Sequence, residues 1–481
     1  MEVICGFIAR CRRPVLIEPG YDPVNLTADS YALEQREDSV MLEAWSERRT
    51  LARRVVAIEG ETRARLALSV ERFGKKPGIL ILVDEAAPRG VETERRLSRL
   101  TFRERFRRAV SRRFPGWRMA ELTMETDLAH TLSPKFPRAL VRKGATAWAA
   151  IGSEHDPDSA LTHGLIWLDY LRSRERRHSI EGLLLYLPAG GERTTCLRLR
   201  WMDPRAAQYE VLAFSEDGFE DTIDLRDYGN LDTRVERCCE HVGWSSEVES
   251  WVERLRAIPG VELVARGDGS VGLRVRGLEF ARAMSDRLVW GIASKREARA
   301  FHLGEISCLA EQLARMRRGD AEDRGNPLYQ RNPEAWMESQ VRANLRELDA
   351  RLEPAPVYGQ VPQFTGGERD VIDLLAVNGD GRLSVIELKA TEDVHLPMQA
   401  LDYWIRVRWH TERGDFAANG YFRGAVLRTD APRLLLAAPA LQFPATNEKV
   451  LRYFAPEIEV QRIGIGMEWR RDLKVMFRYR S

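Results

Sequence analysis

The sequence predicts a modular α/β protein (α+β overall), and three observations carry that prediction. Apolar runs of strand length, such as Ile79-Leu80-Ile81-Leu82-Val83 and Leu434-Leu435-Leu436-Ala437-Ala438, recur between Gly, Asn, Asp and Pro turn residues. Other stretches carry helix start signals and apolar stripes at helical spacing. The length of 481 residues gives room for about two to four domains, each with its own core.

Taken in order, residues 1–50 are expected to include a mobile or extended leader, followed by strands at 55–58 and 79–83. Segment 89–118 is basic, with eleven Arg against Glu92, Glu94 and Glu104, a local charge of +8. Thr101 with Glu104 makes a capping box, so a helix is expected from there to about Phe114-Pro115-Gly116. Phe102, Phe106 and Val110 mark its buried side. Arg103, Arg107 and Arg108 lie elsewhere on it as candidate contacts to nucleic-acid phosphates, against the plainer reading of a solvated face. Residues 119–175 read as mainly helical.

Strands expected at 182–187, 196–201 and 209–214 suggest an antiparallel meander, and a hairpin is expected around Gly267-Asp268-Gly269. Helices are expected near 246–258 and 295–317. The expected domains are therefore 1–160, an α/β domain with the Arg-rich helix; 161–320, a meander with helices suited to recognition; and 325–481. The third opens on Asn332 as N-cap, Pro333 and Glu334, followed by a stripe of Val341, Leu345, Leu348 and Leu352.

Composition narrows the function classes. With 44% hydrophobic and 30% charged residues the chain is an ordinary globular protein, and a net charge of +2 gives no global attraction to nucleic acid. Six cysteines without C-x-x-C spacing suggest reduced thiols and no zinc ribbon. No apolar run approaches the ~18 residues of a membrane span, so no membrane partner and a cytoplasmic location are expected. There is no Walker-type Gly-Lys-Ser/Thr, so a helicase acting with this chain would be a separate partner protein.

The stretch that carries chemistry is Asp370-Val371-Ile372-Asp373-Leu374-Leu375-Ala376-Val377, the turn Asn378-Gly379-Asp380-Gly381, and Arg382-Leu383-Ser384-Val385-Ile386-Glu387-Leu388-Lys389. Two strands about a Gly-rich turn make a hairpin. A loop of three or five residues would set position 373 opposite 387, bringing Asp373 and Glu387 to one face with Lys389 beside them. Burying such charges is costly, and a divalent cation would offset the cost. Part of the stretch also matches a calcium-binding EF-hand loop. Its first position would be Ala376, which has no side-chain oxygen, and its flanks are strands rather than helices, so that reading is rejected.

Asp373, then Glu387-Leu388-Lys389, resembles the PD-(D/E)XK nuclease superfamily. Glu338 on the preceding helix matches that family's further acidic residue. Gln399-Ala400-Leu401-Asp402-Tyr403 resembles the Gln-x-x-x-Tyr helix of its RecB-like branch. Where the family often has Pro before the Asp, this chain has Ile372. The resemblance covers about the last third of the chain and implies a restriction-endonuclease-like αβββαβ core preceded by mixed α/β domains.

It further implies Mg²⁺ or Mn²⁺ held by Asp373, Glu387, the Leu388 carbonyl and Glu338, with Lys389 orienting or deprotonating water. Gln399 and Tyr403 would support the substrate, and the substrate would be DNA. Arg406, which continues along the side of that helix, is a candidate nucleic-acid contact from its position. For Glu338 the alternative is a helical pair with Arg342, four residues on. The rival class is a nuclease-derived module that binds nucleic acid or a protein without cutting.

Overall fold

Among the described residues, alternating apolar runs and turn residues resolve into four separate β-sheets with helices packed on their faces. The structure, a computed structural model, describes residues 1–480 apart from 19–23, 28–29, 37–38, 46–49, 63–64, 73–75, 85–89, 216–218, 227–230, 232, 239–242 and 366–367. Among the described residues no helix is long and apolar enough to cross a membrane.

The first sheet has seven antiparallel strands between residues 14 and 84. The helix Glu2–Arg10 seats Ile4, Phe7 and Ile8 in its core. A five-stranded antiparallel sheet spans 261–297 and includes the expected hairpin, Val261–Ala265 with Val271–Val275. The helices Ser246–Arg256 and Leu303–Met316 share its core.

The second sheet has six strands lying side by side in chain order: Arg118–Thr123, Arg138–Lys143, Thr146–Gly152, Ser179–Pro188, Gln208–Phe214 and Glu220–Ile223. The third, fourth and fifth run parallel, joined by the helices Pro157–Arg174 and Arg193–Leu199. Four expectations are corrected here. The strands over 182–187 and 209–214 pair in parallel, so they do not form the expected antiparallel meander. Residues 119–175 contain three strands, one α-helix and a 3-10 turn at Leu128–His130. Residues 196–201 are not a strand, because a parallel pair needs a crossover between its members, and the short helix supplies it. The boundary at 160 falls inside the helix Pro157–Arg174, whose flanking strands pair with each other.

The Arg-rich helix starts at Gly90 and runs to Arg113, through the expected start at 101. Its Phe102, Phe106 and Val110 are buried against this second sheet, as their spacing predicts.

The fourth sheet holds the chemistry-bearing hairpin. Its elements are β1 (Thr233–Val235), α1 (Pro333–Ala343), β2 (Tyr358–Thr365), β3 (Glu368–Val377), β4 (Leu383–Leu388), α2 (Leu396–Arg413), β5 (Arg433–Pro439), α3 (Ala445–Leu451), β6 (Val460–Ile465) and β7 (Val475–Arg480). The strands lie in numerical order. β4, β5 and β6 run parallel, and the other neighbours are antiparallel. Every residue of β4 and β5 is buried, so both are mostly apolar, and Ser384, Glu387 and Arg433 are buried polar exceptions.

α1 packs Trp336, Met337 and Val341 on one face of this sheet. α2 packs Met398, Leu401 and Trp404 on the other, in a core continuous with that of the second sheet. The start of α1 is as its sequence signals: the Asn332 side chain accepts from the Ala335 N–H at 3.3 Å, with Pro333 at the first position.

Candidate metal centre

The β3–β4 ladder fixes the site. It pairs Val377 with Leu383 and Leu374 with Ile386, leaving residues 378–382 as the loop, so Asp373 and Glu387 are next in register. Gly381 takes φ +83° in that loop, and a Cβ there would lie 2.1 Å from the Val426 carbonyl oxygen, so only glycine fits. Past Leu374–Ile386 the two strands part. The freed N–H of Leu388 donates instead to Asp373 Oδ2 at 2.9 Å, while the Lys389 N–H donates to the Ala437 carbonyl at 3.0 Å.

That fork brings three charged side chains together. Lys389 Nζ lies 3.6 Å from Glu387 Oε1 and 3.7 Å from Asp393 Oδ2. Glu387 is 2% exposed, and its Oε2 is buried with no hydrogen-bond partner. Burial, reinforced by Glu334 and Glu338, pushes the Asp373 carboxyl up to about 7 despite Lys389 and the Leu388 N–H. Burial and neighbouring Asp373 raise Glu387 well above the usual carboxylate range. For Lys389, burial pulls downward, but Glu387, Glu334, Asp393 and Asp373 outweigh it, so its ammonium stays charged.

The donor set fits a hard divalent cation. Two carboxylates sit where water is largely excluded, one oxygen is unanswered, and burial raises both carboxyls, favouring protons that a cation would displace. Among the described residues, no group of three or more His, Cys, Asp and Glu is arranged as a complete cluster. The fit therefore rests on the Asp373–Glu387 pair, an arrangement suited to a cation that keeps waters and takes phosphate oxygens.

Two carboxylates on α1, Glu334 and Glu338, stand near the pair. Glu338 Oε1 is held by Arg342 at 2.8 Å and faces Arg274 at 3.7 Å, so the plainer helical pair is present. Gly359 on β2 makes room for that pair: a Cβ there would lie 1.8 Å from an Arg342 nitrogen and 2.5 Å from Glu338 Oε1. Glu334, one turn earlier on α1 and half-buried, is the carboxylate whose field reaches Asp373, Glu387 and Lys389 alike. Its own carboxyl is raised by burial, with Lys389 opposing. Reading Glu334 only as a helix-start residue missed this. The signal was its position four residues before Glu338, on the same helix face.

Other expected site residues separate into two groups. Leu388 contributes its N–H to Asp373. On α2, Gln399 has a buried side-chain oxygen with no hydrogen-bond partner. Tyr403 is half-buried, with the Arg406 guanidinium 5.9 Å from its ring centre. Arg406 is itself buried, which corrects its expected role on a nucleic-acid surface.

On the Arg-rich helix the three candidate arginines have partners within the protein. Glu104 takes both Arg107, at 2.7 Å, and Arg108, at 3.3 Å, while Arg103 reaches the Leu122 carbonyl at 3.4 Å. These pairings favour the solvated-face reading. Compared with known proteins, the chain matches no family model and no curated protein.

Proposed function

We propose that this chain is a metal-dependent deoxyribonuclease of the PD-(D/E)XK, RecB-like kind, hydrolysing phosphodiester bonds in DNA repair or in defence against foreign DNA. The observation that carries the reading is the buried, register-fixed convergence of Asp373, Glu387 and Lys389, with Glu387 Oε2 unanswered. The run α1–β2–β3–β4–α2–β5 supports an αβββαβ core around it.

Asp373 and Glu387 would hold Mg²⁺ or Mn²⁺, with the negative field of Glu334 beside them. Bound there, such a cation supplies Lewis-acid polarisation of the phosphate and eases ionisation of water. Lys389, kept charged by its carboxylate neighbours, donates hydrogen bonds that orient the attacking water or stabilise charge growing on the phosphoryl oxygens. Its protonation disfavours a general-base role. Gln399 offers an acceptor that can fix a water, and Tyr403 flanks it on the same face of α2.

A silent binding module is the second reading. Retention of Asp373, Glu387 and Lys389 together counts against it, since binding alone requires no such buried set.

The test is cleavage of labelled single- and double-stranded DNA, with RNA alongside, in Mg²⁺, Mn²⁺ or EDTA. Cutting that needs the metal and disappears in Asp373→Ala is the expected result. Binding without cutting under every condition would favour the silent module.

A further inference from the structure

The second sheet and the fourth share one topology. In each, six strands lie in chain order with the same senses: antiparallel, antiparallel, parallel, parallel, antiparallel. The connections match as well. A helix precedes each set, Gly90–Arg113 and α1. An 18-residue helix joins the third and fourth of these strands, Pro157–Arg174 and α2. A 7-residue helix joins the fourth and fifth, Arg193–Leu199 and α3.

Register makes the equivalence residue by residue. Leu183-Leu184-Leu185-Tyr186-Leu187-Pro188 aligns with Leu434-Leu435-Leu436-Ala437-Ala438-Pro439. Ile151 lies opposite Leu185 as Glu387 lies opposite Leu436. The Ser153 N–H donates to the Tyr186 carbonyl at 2.9 Å, as that of Lys389 does to Ala437. Arg138 sits opposite Ile151, the position Asp373 takes opposite Glu387. The set Asp373, Glu387, Lys389 is therefore replaced by Arg138, Ile151, Ser153. Arg138 is buried and gives its guanidinium to the carbonyls of Ser133, Phe136 and Glu125, so a cation has no place there.

The two units meet reciprocally, as the halves of a two-fold dimer do. Met202 and Phe454, each three residues past its short helix, form a β-bridge. The Asp203 N–H donates to the Tyr453 carbonyl and the Ala455 N–H to the Trp201 carbonyl, both at 2.8 Å. Arg408 of α2 lies 5.3 Å from the Trp201 ring, and Arg172 of the other long helix lies 5.7 Å from the Tyr453 ring. Each short helix also sends a cation to an acid on the opposite long helix: Arg198 to Asp402 at 2.7 Å, and Lys449 to Asp169 at 3.6 Å.

We infer that residues 90–223 are a second, catalytically silent copy of the C-terminal fold, locked to it as an internal dimer, so that the molecule cuts one strand of a duplex per encounter. The strand count rests on the nuclease reading; the silent copy rests on topology alone. Two active copies about a two-fold would offer one centre to each strand of a duplex, whose strands are themselves two-fold related. Here a single centre adds one water across one ester bond. The water oxygen joins phosphorus, the ester oxygen leaves carrying a proton, and the opposite strand meets no centre.

The test uses supercoiled plasmid with the full chain in Mg²⁺ or Mn²⁺, beside equilibrium counting of bound Mn²⁺. Open circles that accumulate well before linear DNA, with one Mn²⁺ per chain lost in Asp373→Ala, are expected. Linear DNA formed from the outset overturns the single-strand inference. Two Mn²⁺ per chain, one of them surviving Asp373→Ala, overturns the silent copy. If no nucleic acid is cut, the nuclease reading and the strand count fall together, and one Asp373-dependent Mn²⁺ still supports a single competent copy.

Discussion

Replacing Lys389 by Met is expected to slow DNA cleavage about 10²–10³-fold while leaving Mn²⁺ bound. The aliphatic stem keeps the space filled, and what is lost is an ammonium within 3.6 Å of Glu387 and 3.7 Å of Asp393. That charge opposes a divalent cation beside the same carboxylates, so removing it does not weaken metal binding. It does remove the donor that orients water or meets charge developing on phosphate. Single-turnover cleavage and an Mn²⁺ titration on the same variant separate the two effects. Parallel loss of both would assign Lys389 to holding the site together, and unchanged cleavage would remove it from the chemistry.

Substituting Asp402 by Ala is expected to cost about 3–5 kcal/mol of stability. Arg198 is 5% exposed, and Asp402 meets it with two hydrogen bonds, at 2.8 and 2.7 Å, across the interface between the second and fourth sheets. Removing the acid strands a buried guanidinium, whose other hydrogen bond goes to the Asp158 carbonyl. Thermal unfolding should fall by roughly 6–10 °C. The double variant Arg198→Met with Asp402→Leu should recover much of that loss, because an apolar pair leaves no unpaired charge. A shift under ~1 °C in the single variant would mean the pair is solvated and the two units are not locked there.

What was legible in the sequence was local. The Asp373–Glu387 convergence follows from period-two alternation and a short Gly-containing loop, both readable from residues 370–389. The apolar face of the Arg-rich helix was equally readable from Phe102, Phe106 and Val110. Non-local facts were not.

That Glu338 also meets Arg274, brought from the five-stranded sheet some sixty residues away in sequence, was not readable locally. Residues 196–201 alternate polar and apolar as a strand would, yet the parallel pairing of their neighbours imposes a helix. The likeness of the two αβββαβ-ordered units lies in strand order. At the sequence level it is reduced to one matching run ending in Pro188 and Pro439, too little to detect without the pairings.

The raised carboxyls give the most direct measurement. In the metal-free protein Asp373 holds its proton up to about pH 7, whereas an unfolded Asp releases it near ~3.9. The folded state therefore binds the extra proton, its contribution to stability is present at acid pH, and it is lost as pH rises through 7. A cation must displace that proton, so its affinity falls as pH falls. Calorimetric titration with Mn²⁺ at pH 6 and pH 8, in buffers of different ionisation enthalpy, reads both quantities. The expected result is one cation per chain, bound about tenfold more weakly at pH 6, with proton release there and no binding in Asp373→Asn. Absence of Mn²⁺ binding in the native chain, or binding indifferent to Asp373→Asn, would contradict the assignment of this fork as a metal centre.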